Sequence, residues 1–164
     1  MNNDFSIILI DLEKREHQLG VLALLNEYMC DPMGNNSPLD PQKGGQIIKG
    51  LRQHPTYTGF FIEQEGELAG LANCFINFST FKALPLLNIH DFIISPKFRR
   101  KQLGTKLLTG IEEYARLHNY CRINLEVRED NLKARNLYRK MGFQPCKPNM
   151  FFWEKNLTEK ELSD

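Results

Sequence analysis

Four cations, Lys97, Arg99, Arg100 and Lys101, crowd into a short stretch just before Gly104. The apolar run from Leu86 to Ser95 reads as a strand that Pro96 ends. Beyond the stretch, Leu107, Leu108, Ile111 and Ala115 recur at helical spacing and predict a helix from Thr105 to Leu117. A strand therefore meets a helix through a basic loop. The first N–H groups of a helix lack intrahelical partners, and its dipole places partial positive charge there. Such an end binds phosphate or pyrophosphate, and adjacent cations strengthen that preference. The candidate anion contacts run through Arg99, Arg100, Lys101, Gln102, Leu103, Gly104 and Thr105. A solvated basic turn is the alternative, and the loop by itself leaves both readings open.

The elements that would position this loop follow from periodicity. Phe5 to Leu12 is a short apolar run of strand length. Arg15 to Met29 carries apolar residues three and four apart, which predicts a helix. The Pro-, Gly- and Asn-rich stretch from Cys30 to Pro38 is a loop, and Gln42 to Gln53 a second helix that stops before Pro55. Phe60–Ile62 and Leu68–Phe75 flank a polar turn as a hairpin. Phe78 to Pro85 reads as a loose connection. Cys121, Ile123, Leu125 and Val127 alternate with polar residues, giving a strand with one face on a helix. Ala134, Leu137, Tyr138 and Met141 form the apolar face of another helix, capped by Asp130 or Asn131 and stopped by Gly142. Met150 to Glu154 predicts a last, aromatic strand. This order describes one α+β domain over residues 1–164, without repeats or a linker.

Composition narrows the classes. The chain has 164 residues, 41% hydrophobic and 25% charged, with 21 Lys plus Arg against 20 Asp plus Glu. The near-neutral balance offers no footprint for nucleic acid or an anionic membrane. No segment approaches a membrane span, and the N-terminus has no signal-peptide pattern, so a cytoplasmic protein is expected. Cys30, Cys74, Cys121 and Cys146 are too scattered for a metal site. The glycine patterns of dinucleotide-binding and P-loop proteins are absent.

Two segments together resemble the GNAT superfamily of N-acetyltransferases. The loop matches its acetyl-CoA signature, Arg/Gln-x-x-Gly-x-Gly/Ala, with Arg99 first and Gly104 last; it departs at Gln102 and at Arg100, positions where glycine is usual. One helix and one strand later, Asn131, Ala134, Tyr138, Gly142 and Phe143 match Asn-x-x-Ala-x-x-x-Tyr-x-x-x-Gly-Phe at every marked position. The resemblance implies a central mixed, largely antiparallel sheet with a splayed strand pair, flanked by helices. Residues 87–154 would form the cofactor-binding core and residues 13–56 the acceptor-side helices. It also implies acetyl-CoA as co-substrate, direct transfer of acetyl to a primary amine, and a homodimer as a common assembly. A non-catalytic acyl-CoA-binding or regulatory module on the same fold is the alternative.

By the same resemblance, pantetheine would lie between the splayed strands, on the backbone of Phe92 and Ile94, one N–H polarising the thioester carbonyl. Tyr138 is the candidate general acid toward the departing thiolate, with a satisfied core tyrosine as the alternative; Asn131 is a helix cap, a cofactor contact, or both. The amine must lose a proton, and His90 is the candidate base because histidine ionises nearest neutral pH, with a structural histidine at the strand surface as the alternative. It stands where polyamine-acetylating members carry the Glu of a Glu-Asp pair, here His90-Asp91. On a regular strand those two side chains point to opposite faces. Glu126 is the second candidate base. Tyr28, Asp31 and Met33 offer an aromatic ring, a carboxylate and a flexible apolar side chain suited to a cationic amine with an alkyl body, with an ordinary irregular loop as the alternative. A small-molecule acceptor is expected because the acceptor region is short and lacks a long acidic groove.

Overall fold

The computed structural model describes residues 5–157. Its elements are β1 (Phe5–Leu9), α1 (Arg15–Cys30), α2 (Gly44–Gln53), β2 (Tyr57–Gln64), β3 (Glu67–Ser79), β4 (Leu84–Ile94), a 3-10 turn (Pro96–Phe98), α3 (Leu103–Leu117), β5 (Ile123–Leu125) and α4 (Leu132–Lys140). The five strands form one sheet in the order β1-β2-β3-β4-β5. The first four are antiparallel neighbours, and β5 runs parallel to β4. Within residues 78–85, expected to be loose, Phe78 and Ser79 extend β3 and Leu84 and Pro85 extend β4, leaving a turn over 80–83.

Strand alternation sorts the core into two layers. Phe60, Ile62, Ala72, Cys74, Leu87 and Ile89 face one way and pack with Leu107, Leu108 and Ile111 of α3. Phe61, Leu71 and Ile93 face the other way, against Val21 and Leu24 of α1 and Ile48 of α2. The helices thus close both faces of the sheet, each through its apolar stripe. On the α3 side, α4 adds Ala134, Leu137, Tyr138 and Met141. Asn131 caps α4 by accepting the Ala134 N–H at 3.1 Å, and Gly142 ends it at φ 84°.

Three expectations are corrected. The alternating pattern over Cys121–Val127 yields a ladder only at Ile123–Leu125, because β5 is an edge strand paired on one side. Met150 to Glu154 forms no strand; nothing in the described chain lies alongside it to complete a ladder. Finally, His90 and Asp91 do not divide between the two faces. Leu87 and Ile89 lie in the α3-side core, yet Ile93 lies in the α1-side core while Phe92 and Ile94 pack on the α3 side. That reversal of parity requires one inserted residue. The register break, with Asn73 opposite Asp91 and Cys74 opposite Ile89, leaves His90 as the extra one. This β-bulge turns both side chains toward α1 and α2.

Candidate active site

β4 and β5 pair only from Leu87 to Ile89, opposite Ile123 to Leu125. Past those residues the two strands have no ladder between them, so a gap opens in the sheet. Ser95 donates its N–H to the Ala69 carbonyl of β3 at 2.9 Å. Backbone direction alternates along a strand, so the N–H groups of Ile94 and Phe92 point away from β3, into the gap.

The gap leads to the N-terminus of α3. The helical ladder begins with Lys106 N–H to the Gln102 carbonyl at 3.1 Å, so the N–H groups of Leu103, Gly104 and Thr105 precede it. Arg100 and Gln102 adopt φ of 65° and 60°, the left-handed conformation that glycine takes readily. The loop therefore keeps a glycine-like backbone at both positions where its sequence departs from glycine. At Gly104 an added Cβ would sit 3.0 Å from Leu137 Cδ2 and within 4 Å of Phe92 and Ile94, which shows how closely α3 approaches β4 and α4.

The loop cations have distinct partners. Lys97 pairs with Glu67, and the ammonium groups of Lys97 and Lys101 lie 5.1 and 5.3 Å from the buried Phe98 ring. Arg100 is exposed and makes no ion pair among the described residues. Arg99 reaches furthest. Its Nε donates to the Ile94 carbonyl at 3.2 Å, and its Nη2 contacts Asp31 Oδ2 at 2.6 Å, at the C-terminus of α1. This hydrogen bond holds the Asp31 carboxyl below the usual carboxylate range, helped by the Met33 N–H, which donates to Asp31 Oδ1 at 2.8 Å. The loop before α3 and the loop after α1 are therefore joined through Arg99, a link that sequence spacing does not reveal.

Tyr138 on α4 is 8% exposed, and its ring lies 6.1 Å from Phe92 and 5.8 Å from Phe143. Its hydroxyl makes no hydrogen bond among the described residues. Burial, with a smaller effect of Tyr28, pushes its ionisation up to about 12. Tyr28 also ionises above its ordinary value, first through burial and then through the negative charges of Asp91 and Asp31. Tyr28 thus shares its surroundings with two carboxylates and Tyr138.

Asp91 belongs to a chain of hydrogen bonds. Tyr57 Oη donates to Asn73 Oδ1 at 3.0 Å, and Asn73 Nδ2 donates to Asp91 Oδ2 at 2.9 Å. Asn73 is almost fully buried, so its amide is fixed by these two partners. Sequence reading passed over Tyr57 and Asn73; the polar Asn73 inside the apolar run Leu68–Phe75 was the available signal. His90 is exposed, with its ring 5.6 Å from Phe75 in an edge contact. Glu126 is exposed just beyond β5, on the other side of the gap. Glu27, one turn before Asp31 on α1, has a buried Oε2 with no hydrogen-bond partner among the described residues.

Comparison with known proteins agrees with this geometry. The sequence pattern of the Acetyltransferase (GNAT) family matches residues 21–143. The chain is 32% identical over 95 residues to the putative [ribosomal protein bS18]-alanine N-acetyltransferase of Bacillus subtilis (strain 168), a match covering 58% of this chain and 59% of that protein. Among solved structures, a probable acetyltransferase superposes with a TM-score of 0.80 at 17% identity, covering 94% of this chain and 99% of its own. The aminoglycoside N-acetyltransferase AAC(6')-Iy in complex with CoA gives 0.72 at 12% identity, covering 96% and 98%. With β4 and β5 paired only at their start, a basic loop leading into α3 and a tyrosine of α4 packed on Phe92, and with this match over most of its length, the chain belongs to the GNAT acetyltransferase family.

Proposed function

We propose that this protein transfers an acetyl group from acetyl-CoA directly to the primary amine of a small cationic molecule. The observation that carries the reading is the β4–β5 gap. It has two inward N–H groups on one wall, a helix N-terminus at one end and beside it a largely buried tyrosine whose hydroxyl makes no hydrogen bond among the described residues. Amides from Arg100 to Thr105, in a backbone already shaped like a glycine loop, suit the pyrophosphate, with Arg100 adding charge. The N–H groups of Phe92 and Ile94 suit pantetheine, and one of them would stabilise negative charge growing on the thioester oxygen. Tyr138 donates a hydrogen bond to the departing sulfur and is its proton donor, while Asn131 holds the first turn of α4 that carries it.

Acceptor recognition falls to the opposite face. Asp91, oriented by Asn73 and Tyr57, holds the ammonium form of the amine; His90, brought to the same face by the bulge, takes its proton, with Glu126 the other candidate base. Asp31 adds negative charge near Tyr28, and Tyr28 and Met33 would pack on the alkyl body. Two carboxylates near one aromatic residue favour a cation. No helix among the described residues is long and apolar enough to cross a membrane, and their four cysteines are free, which suits work in a reducing cytoplasm. The test is turnover of acetyl-CoA with a panel of amines, read as free thiol and as acetylated amine. Small di- and polyamines should turn over faster than neutral amines or peptide N-termini. Preference for a peptide N-terminus would reverse the acceptor assignment, and CoA binding without product on any amine would replace the enzyme by a sensor.

A further inference from the structure

β3 carries an aromatic side chain that neither core layer takes up. Leu71 packs in the α1-side core, and Asn73 and Phe75 follow it on the same face at the strand period of two. Asn73 is buried, whereas Phe75 is only half-buried and belongs to neither layer. Three other rings meet it. The centroids of His54, His90 and Tyr57 lie 4.7, 5.6 and 5.9 Å from that of Phe75, at interplanar angles between 61° and 79°. These are edge contacts, which aromatic pairs favour over a face-to-face sandwich. His54 and His90 are exposed, so the row His54–Phe75–His90 lies open on the face of the sheet that carries Asp91.

The row is held in place. Just past the end of α2, His54 Nδ1 lies 3.2 Å from Thr56 Oγ1 and accepts the Thr56 N–H at 3.4 Å. At the other end His90 is fixed by the bulge of β4. Tyr57 ties the row to the carboxylate: its ring contacts Phe75, while its hydroxyl donates to Asn73, whose amide donates to Asp91. Asn73 and Phe75 stand two residues apart, roughly 7 Å along the strand. One tyrosine thus sets a carboxylate and an aromatic platform side by side.

We infer that the acceptor carries a flat aromatic ring joined to its primary amine by a short alkyl link, and that Phe75, with His54 and His90, is the wall that selects this ring. The inference rests on the reading of Asp91 as the partner of the ammonium group. With the ammonium there, a link of about two carbons brings the ring alongside Phe75 at the strand spacing. An aliphatic chain fits the same surface, but only a ring gains the edge and face contacts that aromatic groups make with one another. The side chains that meet Phe75 are neutral or basic, so a second ammonium finds no anionic partner there. An apolar aromatic wall beside one fixed polar group is the usual make-up of a small-molecule site.

The probes are 2-phenylethylamine and 2-cyclohexylethylamine, which share the amine and its two-carbon link and differ in the flatness and π-electrons of the ring. Calorimetry measures their binding in the presence of CoA, and mass spectrometry their acetylation by acetyl-CoA, for the wild type, Phe75→Leu and Phe75→Tyr. The wild type should bind the aromatic amine about five- to tenfold more tightly than its saturated counterpart. That ratio should fall to about one in Phe75→Leu and return in Phe75→Tyr, with the same far-UV circular dichroism in all three. Equal binding of the two amines by the wild type, tighter binding of the saturated one, binding of neither, or a preference that survives Phe75→Leu would each overturn the inference. Ring-dependent binding without acetylation would uphold the wall and overturn the transferase reading, whereas acetylation of both amines with equal binding would do the reverse.

Discussion

Replacing Tyr138 by phenylalanine removes one hydroxyl and leaves the ring between Phe92 and Phe143. No hydrogen bond among the described residues depends on that hydroxyl, so the fold should lose little. A hydrogen bond to a charged group contributes about 1.5–3 kcal/mol. If Tyr138 makes one only to the sulfur as negative charge gathers there, its loss lowers kcat about 10- to 150-fold, with acetyl-CoA affinity nearly unchanged. The pH dependence sharpens this. Burial lifts the phenol to about 12, whereas an ordinary thiol ionises near 8.5, so complete proton transfer to a solvated thiolate would run uphill by about 5 kcal/mol. The donated hydrogen bond, with the proton passing only to a desolvated thiolate, is the way this phenol can act. The phenol stays protonated below its raised value, so Tyr138 should contribute no basic limb below about pH 11. Steady-state kinetics of both proteins at pH 7 and pH 9, with acetyl-CoA binding measured separately, provide the assay. The loss in kcat should be similar at both. An unchanged kcat, or a loss appearing only as weaker acetyl-CoA binding, would make Tyr138 a core tyrosine and refute the assignment.

Further predictions concern the loops and the bulge. Asp91→Asn should raise the amine KM far more than it lowers kcat, whereas His90→Ala should lower kcat and flatten the acidic limb of its pH profile; the reverse split would exchange their roles. Asp31→Asn frees Arg99, so acetyl-CoA should bind several-fold more tightly while the cationic amine binds more weakly; parallel changes in calorimetry would disprove the shared use of Arg99. The Asp31 carboxyl is held below its ordinary 3.8, so its contact stabilises fully above that value and is lost as pH falls through the lower folded one. The same variant should therefore blunt the acid-side loss of stability below about pH 4 and leave stability near neutral pH on its former slope. Gln102→Gly relieves a left-handed residue costing about 1–2 kcal/mol, against about 0.5–1 kcal/mol of added chain freedom. The melting temperature should rise by about 1–3 °C, and a fall would mean the Gln102 side chain supports the loop.

Much of the fold was legible because local signals agreed with one another. The apolar spacing of α1, α3 and α4, the hairpin turn between β2 and β3, and Asn131 and Gly142 at the ends of α4 all match the observed elements within a few residues. The basic loop was legible for the same reason, since cations, Pro96 and a helix start fall together. The acceptor side was less readable. A bulge at His90 leaves no mark in composition, so strand alternation put His90 and Asp91 on opposite faces. The Tyr57–Asn73–Asp91 chain joins three strands, and Arg99 meets Asp31 only after α1 and the β4–α3 loop are folded together. Such contacts are made by topology, which spacing along one segment does not encode. The strands expected at Cys121–Val127 and Met150–Glu154 show the converse: strand-forming patterns order fully only when an edge is there to receive them.

Acetyl transfer within the β4–β5 gap is the central proposal. The measurement is mass spectrometry of an amine panel incubated with the protein and acetyl-CoA, with free CoA followed in the same samples. One acetylated amine should form for each CoA released, with cationic small amines favoured. CoA release without acetylated amine, or acetyl-CoA bound and returned intact with every amine offered, would contradict it.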